Sequence, residues 1–185
     1  MTHDHEGLIR SVRYAEGAPP RMPVVAITGT NGKTTVTRLI GHLFRAAGLT
    51  VGMTTTEGVY VGDERIESGD CSGPQSARTV LLHPQVEAAV LETARGGILR
   101  AGLAFDSCLV AVVTNVSSDH LGLGGVETLD DLARVKEVVV RAARPDGAAV
   151  LNADDPRVAA MAAASKAPAI FFSADAGNPV VAALL

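Results

Sequence analysis

The sequence predicts an α/β fold of the phosphate-loop type, in which a mostly parallel sheet carries helices on both faces. Short and nearly continuous apolar runs alternate along the chain with segments whose apolar residues recur at helical spacing. Strands that read as continuous apolar runs belong to sheets buried on both faces. One of these runs also leads through a glycine-containing loop straight into a helix, the arrangement that phosphate-binding loops need.

Each element follows from a local pattern. Strands are predicted where aliphatic and aromatic residues form short runs between glycine, proline or polar turn residues. In chain order these runs are 24–27, 51–55, 59–61 with 65–66 as a hairpin, 88–91, 109–114, 148–151 and 170–172. Helices are predicted where apolar residues recur every three or four positions up to a stop signal. In chain order they are 33–47, 76–82, 129–143 and 156–164.

Composition bounds the class of protein. The chain has 185 residues and is 47% hydrophobic, which suits one domain with a sizeable core. Aromatic residues make up only 3%, so the core must be aliphatic. The net charge of −4 argues against a nucleic-acid or anionic-membrane surface. The two cysteines give neither a disulfide framework nor a zinc motif, and Cys108 is predicted to be a buried free thiol.

The polar segment 1–22 is predicted to be a tail or linker, and 23–185 to be the folded domain. The N-terminus has no apolar core of a signal peptide, and no apolar run approaches the length of a membrane-spanning helix. We therefore expect a soluble, cytoplasmic protein without a membrane or nucleic-acid partner.

The most informative segment is I-T-G-T-N-G-K-T-T at 27–35, which joins the first strand to the first helix. Glycines let backbone amides converge on an anion, and a helix N-terminus adds partial positive charge. In such a loop Lys33 reaches the β- and γ-phosphates of a nucleotide, and the Thr34 hydroxyl binds Mg²⁺. Ile27 stands where the strict motif has glycine. The alternative is a glycine turn before an ordinary helix.

Two further polar residues follow predicted strands. Glu92 ends the run at 88–91, and His120 lies shortly after the run at 109–114. Ligands of open α/β sheets bind at the carboxyl ends of the strands, so both residues are expected to face the phosphate loop. The alternatives are a capping or solvated carboxylate and an ordinary histidine. A protein kinase is disfavoured because its glycine-rich loop lies between strands.

Several motifs together resemble a known family. T-G-T-N-G-K-T-T at 28–35, T-N-V-S-S-D-H at 114–120 and L-N-A-D-D-P at 151–156 are similar to the central, ATP-binding domain of the Mur ligase superfamily. The segments 52–60, 72–78, 91–100 and 117–125 resemble the Mur-like half of cyanophycin synthetases in particular. The resemblance extends from about residue 16 onward.

This resemblance implies an ATP-dependent ligase. A carboxylate attacks the γ-phosphate to form an acyl phosphate, and an amine then displaces phosphate. For cyanophycin synthetases the implied substrates are arginine and the side-chain carboxylate of a polyaspartate backbone, so the partners are an amino acid and an acidic peptide. ATP and Mg²⁺ are the implied cofactors. A folylpolyglutamate synthetase-like ligase is a second alternative, against which the segments 54–56 and 91–100 argue.

The resemblance also implies residue roles. The nucleotide would be bound by Gly29, Thr30, Asn31, Gly32, Lys33, Thr34, Thr35 and, at the adenine, Asn152. Mg²⁺ would be bound by Thr34, Glu92 and His120. The catalytic residues would be Lys33, Glu92, His120 and Lys136, the last matching a family lysine that is often carbamylated. The acceptor side would involve Thr54, Thr55, Thr56, Ser72, Arg78 and Arg95. An exposed helix lysine and an ordinary polar loop are the alternatives for Lys136 and for the acceptor-side residues.

Relative to the family, parts are expected to be absent. Residues 1–22 cannot supply the ATP-grasp region that precedes this domain in cyanophycin synthetases. The chain also ends where the family's central domain continues and where a C-terminal domain follows. We therefore expect a truncated central domain. It is either the catalytic portion of a ligase, completed by further domains or by a homo-oligomer, or an ATP-binding module without ligase turnover of its own.

Overall fold

An eight-stranded sheet organises the residues that this computed structural model describes, namely 21–118, 122 and 125–183. The spatial order of the strands is β4-β3-β2-β5-β1-β6-β7-β8. In chain order they are β1 (Val24–Thr28), β2 (Val51–Thr55), β3 (Gly58–Val61), β4 (Glu64–Ser68), β5 (Ala88–Glu92), β6 (Cys108–Val113), β7 (Ala143–Asn152) and β8 (Ala169–Phe172). All neighbours pair in parallel except the β2–β3–β4 edge, which is antiparallel. The predicted mostly parallel sheet is confirmed.

Helices cover both faces, as predicted. They are α1 (Lys33–Ala46), α2 (Pro74–Leu82), α3 (Arg95–Ala101), α4 (Leu129–Arg141), α5 (Pro156–Ala160), which continues into a 3₁₀ turn, and α6 (Pro179–Ala182). Helices α2 to α5 pack their apolar side chains on one face. Helix α1 packs Val36, Ile40 and Phe44 on the other face. Leu39 and Leu43 share its helical pattern but are 58% and 57% exposed.

The position of β1 determines where the functional residues meet. It lies between β5 and β6 and is buried along its whole length. Ile27 pairs with Glu92 of β5, and Thr28 pairs with Val113 of β6. The carboxyl ends of three parallel strands therefore lie side by side where the phosphate loop begins.

Helices α3 and α6 and the boundary between α4 and β7 differ from the sequence expectation. Helix α6 is only four residues long, too short for a helical repeat of apolar residues to indicate it. Helix α3 is not predicted, because it is short and begins R-G-G, and glycine is a poor helix former. Close packing against the start of α2 explains why α3 contains glycine, because a Cβ on Gly97 would lie 3.0 Å from the Gly73 Cα.

Helix α4 ends at Arg141, before the predicted end at 143, and β7 begins at Ala143, before the predicted 148. The sheet register jumps from Cys108↔Ala143 to Val110↔Ala148, so the intervening Arg-Pro-Asp-Gly segment bulges out of the ladder.

Both cysteines are buried and free. This confirms the prediction that Cys108 is a buried free thiol, and burial raises the pKa of that thiol to about 12. Within the described part of the chain, no helix is long and apolar enough to cross a bilayer. Most of the predicted tail at 1–22 lies outside the described residues.

Candidate nucleotide-binding site

The loop between β1 and α1 ends at a helix N-terminus that is open to an anion. Gly32 is the N-cap of α1 with a φ of 81°, no side chain caps the helix, and its first turn contains no acidic residue. The first amides of a helix lack internal acceptors and carry partial positive charge. The Lys33 Nζ donates to the Thr30 carbonyl at 2.8 Å, so its ammonium lies over the loop. This geometry suits a phosphate group.

The segment that follows β6, residues 114–117, holds the loop in shape. The Thr30 amide donates to the Asn115 carbonyl at 2.9 Å, and the Asn31 amide donates to the Asn115 side-chain oxygen at 2.9 Å. The Thr114 hydroxyl donates to the Asn31 carbonyl at 2.6 Å. The Ser117 amide donates to the Thr30 hydroxyl at 3.0 Å. The phosphate loop is therefore preformed by contacts from a neighbouring strand end.

Gly29 is required where the loop leaves β1. Its φ is +147°, and a Cβ there would lie 1.9 Å from the Thr114 hydroxyl oxygen. We expect Gly29→Ala to lower the free energy of unfolding by about 2–4 kcal/mol, through overpacking and backbone strain. Urea denaturation measures this. Gly48→Ala is the control, because Gly48 also has a positive φ but open space around it. Equal losses in the two variants would contradict a role for the Thr114 contact.

Glu92 provides a carboxylate beside this loop. Its side chain is 2% exposed. Oε2 accepts from the Thr34 hydroxyl at 2.8 Å and from the Thr56 amide at 3.3 Å. Burial raises the Glu92 pKa, against the opposing effects of the Thr34 hydrogen bond and the Lys33 charge. Its other oxygen, Oε1, is buried without a hydrogen-bond partner among the described residues.

A divalent cation fits this arrangement. Buried carboxylate oxygens are normally satisfied, and Mg²⁺ binds hard oxygen ligands. The unpartnered Oε1 of Glu92 and the Thr34 hydroxyl could supply two of them. The described residues contain no group of three or more His, Cys, Asp and Glu side chains placed around one point. Mg²⁺ commonly takes one or two carboxylates, with water and phosphate oxygens completing its shell. His120, the other predicted ligand, lies outside the described residues.

A cavity of about 210 Å³ opens beside the loop and gathers cationic side chains. Lys33, Arg95 and Lys136 line it from three different helices, with Asp70 and Ser72 on another wall. Lys136 is 2% exposed, and its Nζ donates to the Gly29 carbonyl at 2.8 Å. It is therefore not an exposed helix lysine. Burial, followed by the charges of Lys33 and Arg95, lowers its pKa to about 7.

The family follows from comparison with known proteins. Residues 27–183 match the family model described as the Mur ligase middle domain. The chain belongs to this family. Cyanophycin synthetase from Synechocystis sp. is 56% identical to this Mur ligase middle domain over 168 residues, which is 91% of this chain and 19% of that protein. The chain thus spans about a fifth of the length of such curated relatives.

Solved structures agree on the fold. A UDP-N-acetylmuramoyl-L-alanyl-D-glutamate–2,6-diaminopimelate ligase has a TM-score of 0.68 at 24% identity, over 85% of this chain and 33% of that one. FolC from E. coli, solved in complex with DHPP and ADP, has a TM-score of 0.57 at 20% identity, over 82% of this chain and 42% of that one. The Mur ligase middle domain shares its architecture with both proteins.

The Mur ligase middle domain brings most of the predicted site residues together. The loop residues 29–35 lie between β1 and the first turn of α1. Predicted residues that line the cavity are Gly29, Thr30, Lys33, Thr56, Ser72, Arg95 and Lys136. Thr34 and Glu92 are in direct contact next to this cavity.

Four predicted residues are placed differently. Thr54 and Thr55 are fully buried, and their hydroxyls donate to the backbone carbonyls of Glu92 and Gly58. Arg78 is exposed on α2 and does not line the cavity. The Asn152 side chain donates to the Thr114 carbonyl and accepts from the Asp154 amide. These contacts give the two threonines and Asn152 local roles within the fold.

Sequence reasoning missed Asp70, Thr114 and Asn115. Asp70 lines the cavity, and its carboxylate accepts from the Ser72 amide and hydroxyl. Its only signal in the sequence is its place two residues before the segment 72–78, which resembles the family. Thr114 and Asn115 begin the T-N-V-S-S-D-H motif, but their contacts to the loop come from residues 83 or more positions away in sequence.

Proposed function

We propose that this chain is the ATP- and Mg²⁺-binding core of a ligase that joins an amine to a carboxylate. One observation carries the proposal most strongly. The buried Glu92 carboxylate has one oxygen without a partner, while its other oxygen accepts from the Thr34 hydroxyl. This carboxylate lies next to the phosphate loop and to a cavity lined by Lys33, Arg95 and Lys136. Such a site suits a reaction in which two anions, a triphosphate and a carboxylate, must approach each other.

The chain's own residues would divide this work. Lys33 and the amides at the start of α1 would bind the β- and γ-phosphates. Glu92 and Thr34 would hold Mg²⁺, with His120 at a second ion by resemblance. Mg²⁺ would supply neutralisation of the triphosphate charge. Arg95, which lines the same cavity, would orient the acceptor carboxylate.

The proposed reaction has two displacements. An oxygen of the acceptor carboxylate attacks the γ-phosphorus, the bond to the β–γ bridging oxygen breaks, and ADP leaves with the bonding electrons. The amine nitrogen then attacks the carbonyl carbon of the acyl phosphate, the carbon–oxygen bond to phosphate breaks, and the amine loses a proton. The side chains hold both reactants in line, which is how enzymes accelerate phosphoryl transfer.

Lys136 has a suitable chemistry for the carbamylation that the family resemblance implies. A pKa of about 7 leaves roughly half of its amines neutral at neutral pH, and only the neutral amine attacks CO₂. The amine nitrogen bonds to the CO₂ carbon and loses a proton, so the carbamate places an anion in the cavity beside the phosphate loop. This change would move the local charge balance toward binding of divalent ions.

For the substrates we propose arginine as the amine and an aspartate side-chain carboxylate as the acceptor. This rests on the 56% identity with a cyanophycin synthetase. The chain spans 19% of that protein, so an ATP-binding module that needs further polypeptide for turnover is the second candidate.

The test is phosphate release by the 185-residue chain. We expect inorganic phosphate to appear only when MgATP, an aspartate-containing peptide and arginine are all present, and to disappear with Lys33→Ala. ATP binding without any such dependence would contradict ligase activity of this chain and leave the binding module. Phosphate release with a folate and glutamate instead would identify the other ligase type.

A further inference from the structure

The L-N-A-D-D-P segment at 151–156 has a role that the proposed function does not use. We propose that Asn152 and Asp155 are positioning residues, which hold the 114–117 segment against the phosphate loop and thereby tune triphosphate affinity. The inference rests on the proposed phosphate site. It replaces the predicted adenine contact of Asn152 by an action on the opposite end of the nucleotide.

The Asn152 side chain contacts the 114–117 segment just beyond the last residue pair of the β6–β7 ladder. The parallel ladder between β6 and β7 ends at the pair Val113↔Leu151. One residue further on, the Asn152 Nδ2 donates to the Thr114 carbonyl at 2.8 Å, while its Oδ1 accepts from the Asp154 amide at 2.9 Å. Both polar ends of this half-buried side chain are therefore engaged in the protein. The contact continues the β6–β7 connection into the 114–117 segment.

Asp155 holds the same segment at a second point. Its Oδ2 accepts from the Val116 amide at 2.6 Å. Its Oδ1 accepts from the Arg157 and Val158 amides at 3.0 and 3.3 Å and so caps α5. Val116 is 7% exposed, so a lost partner for its amide is costly. One carboxylate thus joins the start of α5 to the middle of the segment.

The opposite side of the 114–117 segment contacts the phosphate loop. Asn115 accepts from the amides of Thr30 and Asn31, and the Thr114 hydroxyl donates to the Asn31 carbonyl. These bonds orient the peptide groups of the loop before a ligand arrives. A preorganised loop loses less conformational entropy on binding. Removing the hydrogen bonds that fix the 114–117 segment should therefore loosen the phosphate loop and weaken its binding of phosphate groups.

The neighbouring Asp154 provides a matched control. Its carboxylate accepts from the Ala174 amide at 2.8 Å, from the Asn178 side chain at 3.0 Å and from the Ser173 hydroxyl. It therefore holds the segment after β8 and makes no contact with 114–117. Two adjacent aspartates of one motif serve different parts of the fold.

The experiment measures the dissociation constants of MgATP and of inorganic tripolyphosphate by calorimetry. Asn152→Ala and Asp155→Ala should weaken both ligands by the same factor, roughly tenfold for each lost hydrogen-bonding group. Asp154→Ala should leave both constants within about twofold of the wild type, although thermal unfolding shows its loss of stability. Asp155→Ser keeps a good N-cap for α5 but has no second acceptor for the Val116 amide, so it should bind both ligands as weakly as Asp155→Ala.

Three results would overturn the inference while leaving the proposed function in place, and a fourth would overturn both. If Asn152→Ala weakens ATP but not tripolyphosphate, the residue contacts the adenosine part. If Asp154→Ala weakens binding as much as Asp155→Ala, the effect is a general loss of stability. If Asp155→Ser binds both ligands as tightly as the wild type, the Val116 contact is not the cause. If the wild type binds neither ligand, or Lys33→Ala binds both unchanged, the proposed function fails and the inference fails with it.

Discussion

Replacing Lys33 with alanine should weaken MgATP binding by about 100-fold or more. The Lys33 ammonium lies over the loop and donates to the Thr30 carbonyl, so it is already placed where the phosphates would lie. Removing one partner of a close, hydrogen-bonded charge pair costs about 2–5 kcal/mol, and each 1.4 kcal/mol is a factor of ten in affinity. Titration calorimetry at fixed ionic strength measures the loss.

Lys166→Ala is the matched control for this substitution. Lys166 is exposed, lies outside the phosphate loop and does not line the cavity. It carries the same formal charge, so any general effect of net charge on ATP affinity would appear equally in both variants. We expect ATP affinity to stay within about twofold of the wild type in Lys166→Ala. An unchanged affinity in Lys33→Ala would contradict the phosphate-loop assignment.

The buried lysine at position 136 should make stability depend on pH. Its pKa is about 7 in the folded protein, against 10.5 when unperturbed. Between these values the unfolded chain binds the proton and the folded chain does not, so stability rises with pH in this window. Below pH 7 both states are protonated and the folded protein bears the cost of burying the charge. From pH 7 to pH 9 the gain should be about 2 kcal/mol.

Lys136→Met should remove this gain while keeping much of the buried volume. The free energy of unfolding, measured by urea denaturation at pH 7, 8 and 9, should rise less steeply in the variant than in the wild type. Taking the difference between the two proteins cancels the contribution of the cysteines, whose thiols begin to titrate in this range in the unfolded chain. Lys166→Met, at an exposed lysine, should keep the wild-type slope. A parallel slope in Lys136→Met would show that Lys136 stays protonated inside the fold.

Much of the fold could be predicted because its signals are local. Strand β5 is a run of five buried residues, and α1 has its contacts to the sheet at helical spacing. The meeting of the phosphate loop with Glu92 was also predictable, since parallel strands in one sheet end at the same edge. Two sequence signals are enough to locate this edge. They are a strand-to-helix turn that contains Gly-Lys-Thr and a carboxylate at the end of a neighbouring strand.

The remaining features depend on contacts between distant parts of the chain. Lys136 reads as an ordinary helix lysine, and only its contact with Gly29, 107 residues away, shows that it is buried beside two other cations. Thr54 and Thr55 lie at the end of a correctly predicted strand, but their predicted acceptor-side role gives no sign that their hydroxyls donate to backbone carbonyls inside the fold. Side-chain partners of this kind are set by tertiary packing, which local patterns do not encode.

The proposed function requires the backbone of residues 29–34 to bind the triphosphate of ATP. The most direct measurement follows the backbone amide resonances of the ¹⁵N-labelled chain as MgATP is added. The largest shifts should fall on the amides of residues 29–34, and tripolyphosphate should shift the same amides. Large shifts elsewhere with unchanged resonances at 29–34 would contradict the proposed function.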